Sequence, residues 1–296
     1  LPGEYARSGL LRGLQLQDEL GVNPFKFGFE GATDTHTGLS TVEEDNYFGK
    51  FTSYEPSAER AEHAGKPSPA GITMPGGGDY SAAGLTAVWA TENTRGALFD
   101  AMERRETYAT TGPRMRVRFF GGFDFTADNA QRRDLALVGY TRGVPMGSDL
   151  NRGPQGRAPS FLVYALRDPM GANLDRIQII KGWLDAEGDP QEEVYDVAWS
   201  GDRKPGVDGK LPPVGDTVDL SIPSWTNTIG SPELGTVWTD PDFDPGLPAF
   251  YYARVIEIPT PRWTAYEAKR FGITMDPEVP MTTTERAYTS PIWYTP

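Results

Sequence analysis

The chain has no cysteine, only two histidines and no long apolar run. Without cysteine there is no disulfide, no thiolate zinc site and no cysteine nucleophile. With His36 and His63 as the whole imidazole complement, the chain alone cannot build a histidine-rich metal cluster. No stretch approaches the roughly 18–20 apolar residues of a membrane-spanning helix, so no membrane span is expected. Nor is there a run of Lys and Arg. Basic residues number 28 against 41 acidic ones, for a formal net charge of −13, and nucleic-acid binding normally needs a clustered basic surface. No nucleic-acid partner is expected. The chain opens Leu1-Pro2, and its N-terminus is read as a cut one. A cysteine-free composition fits the cytosol and the bacterial cell envelope alike; the periplasm is taken as the working expectation.

The chain is rich in turn formers, with 34 Gly and 26 Pro among 296 residues. That suits short strands joined by turns, or a helical part followed by a β-rich one, and not a helical bundle. Residues 3–20 read as an amphipathic helix with Leu10 and Leu14 on one face and Gly21 as its C′ stop. Lys26 to Thr33 reads as a glycine-spaced strand running into Asp34-Thr35-His36. Polar residues at the carboxyl end of a strand that follows a helix have the grammar of a β/α barrel or open α/β sheet. Residues 37–84 show little periodicity, and are read as a lid, a partner-binding excursion or a partly disordered stretch. A second helix is expected over 92–106 with Thr91 as N-cap. From 113 onward the texture is strands: 115–119, 161–166, 175–183, 192–199, 216–222, 248–258 and 287–294, which argue an antiparallel sandwich. The expected organisation is therefore α/β plus all-β, divided at 112/113.

Asp34-Thr35-His36 is the best chemical candidate. In extended backbone, residues i and i+2 point the same way, so a carboxylate and an imidazole converge. That donor pair suits a divalent transition metal such as Mn, Fe or Zn. The plainer reading is that His36 merely bonds Asp34 at a polar strand end. Glu43, Glu44 and Asp45 offer substrate-side charge, or else form a solvated acidic loop. His63 is a candidate lid acid, or else a surface histidine. Asp240-x-Asp242-x-Asp244 lacks the following Gly and the twelfth-position Glu of a calcium loop, so it reads as an acidic turn. Trp183, Trp199, Trp225, Trp238 and Trp263 could form a glycan platform, though sandwich cores use Trp freely.

The runs Asn23-Pro24-Phe25-Lys26-Phe27-Gly28, Thr33 to Leu39 and Val42-Glu43-Glu44-Asp45-Asn46 resemble a bacterial family, domain of unknown function 3604. The likeness continues through Arg105 to Pro113, Asp196 to Arg203, Asp240 to Pro245 and Pro259 to Trp263. It implies a distant relation to the polymerase-and-histidinol-phosphatase (PHP) metallohydrolases, which are distorted β/α barrels holding metals at the strands' carboxyl ends. Their last metal motif is Asp-x-His, and Asp34 and His36 match it. Their first motif, His-x-His, has no counterpart here. The resemblance thus implies that 1–112 is the carboxyl-terminal portion of a PHP-like barrel and 113–296 an appended β-sandwich. The implied function is part of a metal-dependent, phosphoesterase-like hydrolase acting on a small molecule. The missing ligands would come from an N-terminal half of the same protein. The alternative is a non-catalytic glycan- or protein-binding sandwich on a barrel scaffold.

Overall fold

The computed structural model describes residues 5–63, 65, 75–82 and 84–296. The parts of the expected first helix at 3–4 and of the 37–84 excursion at 64, 66–74 and 83 lie outside them. In chain order the helices are α1 (Ala6–Leu20), α2 (Arg95–Glu103), α3 (Leu135–Arg142) and α4 (Trp263–Phe271). The strands are β1 (Leu85–Val88), β2 (Thr107–Thr110), β3 (Arg116–Gly122), β4 (Gly143–Pro145), β5 (Asp149–Asn151), β6 (Ser160–Leu166) and β7 (Leu174–Leu184). They continue as β8 (Pro190–Trp199), β9 (Glu233–Thr239), β10 (Ala249–Glu257), β11 (Thr260–Pro261), β12 (Thr282–Thr283), β13 (Arg286–Thr289) and β14 (Ile292–Thr295).

Two sheets face each other. The larger runs β8-β7-β10, and the other edge of β10 is shared by β13 and β14; β13 leads on to β2 and β1, and β14 to β5. The smaller sheet has the order β4-β3-β6-β9. Phe161, Val163 and Ala165 of β6 meet Tyr251, Ala253 and Val255 of β10 in the core between them. The rings of Phe119 and Phe161 stack at 5.5 Å. The strands read as apolar on both faces because both outer faces are also covered. Leu162 packs with Leu135 and Val138 under α3, and Phe250 and Tyr252 pack with Leu10 and Leu14 under α1. Gly21, with φ 75°, ends α1 in the left-handed C′ geometry expected of it.

Several expectations need correction. Lys26–Thr33 is extended but joins no strand ladder. Hydroxyl groups hold it instead: the Phe29 N–H donates to Ser290 Oγ at 2.8 Å, Thr107 Oγ donates to the Phe29 carbonyl at 2.9 Å, and Thr86 Oγ donates to the Gly31 carbonyl at 2.8 Å. No closed barrel forms among the described residues. The ladders are antiparallel apart from the β14–β5 pair, whereas a β/α barrel is parallel throughout. Both β1 and β2 extend the larger sandwich sheet through β13, so the expected 112/113 boundary falls between two strands of one sandwich.

The helix expected from 92 begins at Arg95, with Thr94 rather than Thr91 as N-cap, its hydroxyl accepting from the Ala97 N–H. Residues 216–222 form no strand. Asp216 and Asp219 each take the N–H two residues on, at 2.8 Å, and turn the chain. The single strand expected over 287–294 is two, because Pro291 cannot continue the ladder. Strand β9 and helices α3 and α4 were not anticipated. The described part of 37–84 holds only short 3-10 turns, and it is anchored: Tyr47, Ala61 and Ala82 pack with Trp263 and Met275 in a core of their own.

Candidate functional site

The extended run alternates its exposure from Phe29 onward, so that Glu30, Ala32, Asp34 and His36 face solvent. Asp34 has φ 51°, in the left-handed region that a non-glycine residue seldom occupies. This bend carries the chain into a loop closed by the His36 N–H donating to the Lys50 carbonyl at 2.8 Å. Loop closure brings the Lys50 ammonium onto Asp34 Oδ2. That hydrogen bond and charge hold the Asp34 carboxyl below the usual carboxylate range. His36 Nδ1 lies 2.8 Å from the Asp34 backbone carbonyl. A carbonyl can only accept, so Nδ1 carries the proton, and in the neutral ring Nε2 keeps its lone pair. The imidazole packs against Phe51, with ring centroids 4.8 Å apart.

Asp34 and Lys50 line a cleft of about 470 Å³ together with Glu30, Asp79, Tyr80 and Tyr288. Lys50 lies over the rings of both Phe51 and Tyr80, at 5.5 and 5.6 Å. Tyr54 links this aromatic group to the second histidine: it packs on Tyr80 and Phe51, and His63 sits against its edge at 5.5 Å. The fold therefore gathers both histidines around one aromatic cluster, although His63 itself is exposed.

The acidic triplet divides. Glu44 is not in a solvated loop. Its carboxylate accepts the Trp263 N–H at 2.6 Å and the Ala82 N–H at 3.3 Å, so it caps the first turn of α4. Burial raises its pKa, opposed by those N–H groups. Glu43 accepts the Val42 N–H, and Asp45 offers its carbonyl to Arg270. Thr111, which lines the cleft, donates to the buried Glu285, whose pKa burial pushes up to about 7. Lys50, Tyr80, Thr111 and Glu285 carried no motif in the sequence. Only the loop closure at Lys50 and the pairing around β2 and β13 bring Lys50, Tyr80 and Thr111 into the Asp34 cleft, with Glu285 behind Thr111.

Among the described residues no three His, Cys, Asp or Glu side chains converge on one point. Asp34 and His36 are two donors, short of the three protein ligands that even an open zinc site has. Asp240 is committed elsewhere: it is buried, 2.7 Å from Lys181 Nζ and 2.6 Å from Tyr251 Oη. Of the five tryptophans, Trp199 and Trp225 are half-buried. Trp263 is buried, and Trp183 and Trp238 pack against the sandwich core. Among the described residues no helix is long and apolar enough to cross a membrane.

A family model described as a protein of unknown function, DUF3604, matches residues 1–296. The chain belongs to the DUF3604 family. No curated protein and no solved structure matches this DUF3604 chain. The Asp34 loop, the aromatic cluster and the sandwich that carries them all lie within the matched span.

Proposed function

We propose that this DUF3604 chain contributes Asp34 and His36 to a divalent-metal hydrolytic centre of PHP-like, phosphoesterase type. The remaining ligands would come from a further segment of the same protein. The observation that carries the reading is the His36 geometry. A metal-bound histidine ordinarily donates its other ring N–H to a carbonyl or carboxylate, which fixes the ring and its tautomer. Here Nδ1 donates to the Asp34 carbonyl, which leaves Nε2 as the ligating atom beside an exposed carboxylate. Mn, Fe or Zn fits these donors, as two members of a larger set.

The backbone supports a shared site. Along Gly28–Ala32, the groups of Phe29 and Gly31 are bonded to the sheet's hydroxyls. The N–H and C=O of Gly28 and Glu30 have no partner among the described residues, while the Ala32 carbonyl accepts the Gly84 N–H at 3.1 Å, so only the Gly28–Glu30 part of that edge is free. This part is open to a further strand, the place a barrel neighbour would take.

A metal bound here would supply acidified water and a polarised phosphorus or carbonyl centre. The chain's own residues do the rest. Asp34 and His36 position, and Lys50 is the cation nearest the pair for an anionic oxygen of the substrate. The test is metal analysis and hydrolysis of a phosphomonoester panel by the intact natural protein and its Asp34→Ala and His36→Ala forms. Both variants should lose metal and activity together. Full metal occupancy and unchanged hydrolysis in both would overturn the assignment.

A further inference from the structure

A second cavity, of about 440 Å³, opens on the outer face of the larger sheet beside the first turn of α1. It is lined by Phe29, Tyr252, Tyr288, Arg7, Arg254 and Glu30. Tyr252 is only 4% exposed as a residue and its ring packs under α1, but it lines the cavity and its hydroxyl, which is not sealed from solvent, makes no hydrogen bond to the described residues. Burial pushes its pKa up to about 12, so it stays a donor at neutral pH. Arg254 is anchored through Nε, which donates to Gln178 Oε1 at 2.8 Å. Its two terminal nitrogens have no protein partner among the described residues. Arg7 is likewise held through Nε, 2.8 Å from Glu192. The first turn of α1 has no acidic residue and no side-chain cap from Tyr5, so its positive end adds to the same field.

The cavity thus combines a guanidinium fork suited to a planar oxyanion, a hydroxyl free of protein partners among the described residues, an aromatic wall and the Glu30 carboxylate, with Glu192 already paired to Arg7. A purely apolar occupant would leave Tyr252 Oη and Arg254 desolvated and unpaired. A doubly charged group would be repelled by Glu30, whereas ring hydroxyls can donate to it. We propose that this cavity binds a sugar ring bearing a singly charged acidic group, a carboxylate or a sulfate ester. The acidic group lies on Arg254, with Arg7 alongside, and ring hydroxyls engage Tyr252 and Glu30. The cavity meets the Asp34 cleft along Glu30, Ala109 and Tyr288, which line both, but the inference does not rest on the metal reading.

The test is calorimetric or saturation-transfer titration of the protein with methyl glucuronide, N-acetylglucosamine 6-sulfate and neutral methyl glucoside. At least one acidic sugar should bind saturably, about tenfold or more tighter than the neutral one, which corresponds to about 1.4 kcal/mol. Arg254→Gln should abolish that preference. Tyr252→Phe, which keeps the ring packing, should weaken binding about three- to tenfold. Chelator and Asp34→Ala should leave binding unchanged, which separates this outcome from that of the metal site. No saturable binding of either acidic sugar below ~10 mM would overturn the proposal. So would equal affinity for the neutral sugar, or binding indifferent to both Arg254→Gln and Tyr252→Phe.

Discussion

Arg60 and Glu267, 207 residues apart in the chain, form a buried ion pair in which Nε donates to Oε2 at 2.8 Å. Their side chains are 2% and 3% exposed. The guanidinium also lies over the rings of Trp263 and Tyr47, at 4.3 and 4.9 Å. Its other nitrogens donate to the carbonyls of Tyr47, Phe48 and Tyr54. One side chain thus fastens to α4 the segment that presents Lys50. Removing one partner of such a pair strands a buried charge and costs about 3–5 kcal/mol. Glu267→Leu should therefore lower unfolding stability by that order in urea titration, and the double replacement Arg60→Met/Glu267→Leu should recover part of the loss. A single variant within ~0.5 kcal/mol of the parent would show that the pair does not hold the segment.

Glu285 makes stability depend on pH. Its carboxyl is raised from the ordinary 4.5 to about 7, so the native state keeps a proton that the unfolded chain releases earlier. Stability from this group is full below about 4.5 and declines as pH rises toward 7. The neighbouring buried Glu257, also raised well above the ordinary range by burial, acts in the same direction. Glu285→Gln should flatten the decline and gain up to about 3 kcal/mol at pH 8. Denaturation at pH 5 and pH 8 measures it, and an undiminished slope in the variant contradicts the assignment.

Lys181, not a cation from solvent, neutralises Asp240 of the acidic turn. Lys181 also donates to the Asp242 carbonyl at 2.7 Å, and its ammonium lies 4.8 Å from the Trp183 ring centroid. Lys181→Met should cost about 3–5 kcal/mol by leaving Asp240 uncompensated. Millimolar calcium should leave the melting temperature of the parent protein unchanged. A clear rise on adding calcium would sink this account of the turn.

Lys50 sets the charge of the candidate site. With the ammonium bonded to it, the Asp34 carboxylate persists to lower pH than an ordinary aspartate. Lys50→Met should move the Asp34 midpoint upward in a carbon-detected NMR titration. An unmoved midpoint would mean that the ammonium does not hold the carboxylate in solution.

Much of the strand pattern was legible because it follows from local periodicity. The runs 161–166, 175–183 and 192–199 lie within strands, and 115–119 and 248–258 overrun theirs by one residue, the first at its start and the second at both ends. Leu10 and Leu14 are the buried face of α1, as their four-residue spacing implies. The misses have local causes that compete with periodicity. Asx turns at Asp216 and Asp219 displaced an expected strand, and Gly235, whose Cβ would lie 2.9 Å from the Tyr164 ring, hid β9. Lys26–Thr33 has the composition of a strand, but its backbone is met by Ser and Thr hydroxyls, the Arg105 guanidinium and the single N–H of Gly84 rather than by a strand ladder, and no periodicity signals that. At the site, Asp34 and His36 were visible as a motif. Glu44 was visible only as charge, and its burial under α4 depends on Trp263.

What the sequence determined by itself was the absence of thiol chemistry, the shortage of imidazole, the strand-rich texture and the Asp34–His36 pair, since each follows from residue identity or short spacing. Which charges are buried, and which groups stand together, was decided by the tertiary structure alone. Glu44 meets Trp263 across 219 residues, Arg60 meets Glu267 across 207, and Tyr252 comes to share a cavity with Arg7 and Glu30. Those relationships depend on how two sheets and their covering helices pack, and long-range packing leaves no local periodicity to read.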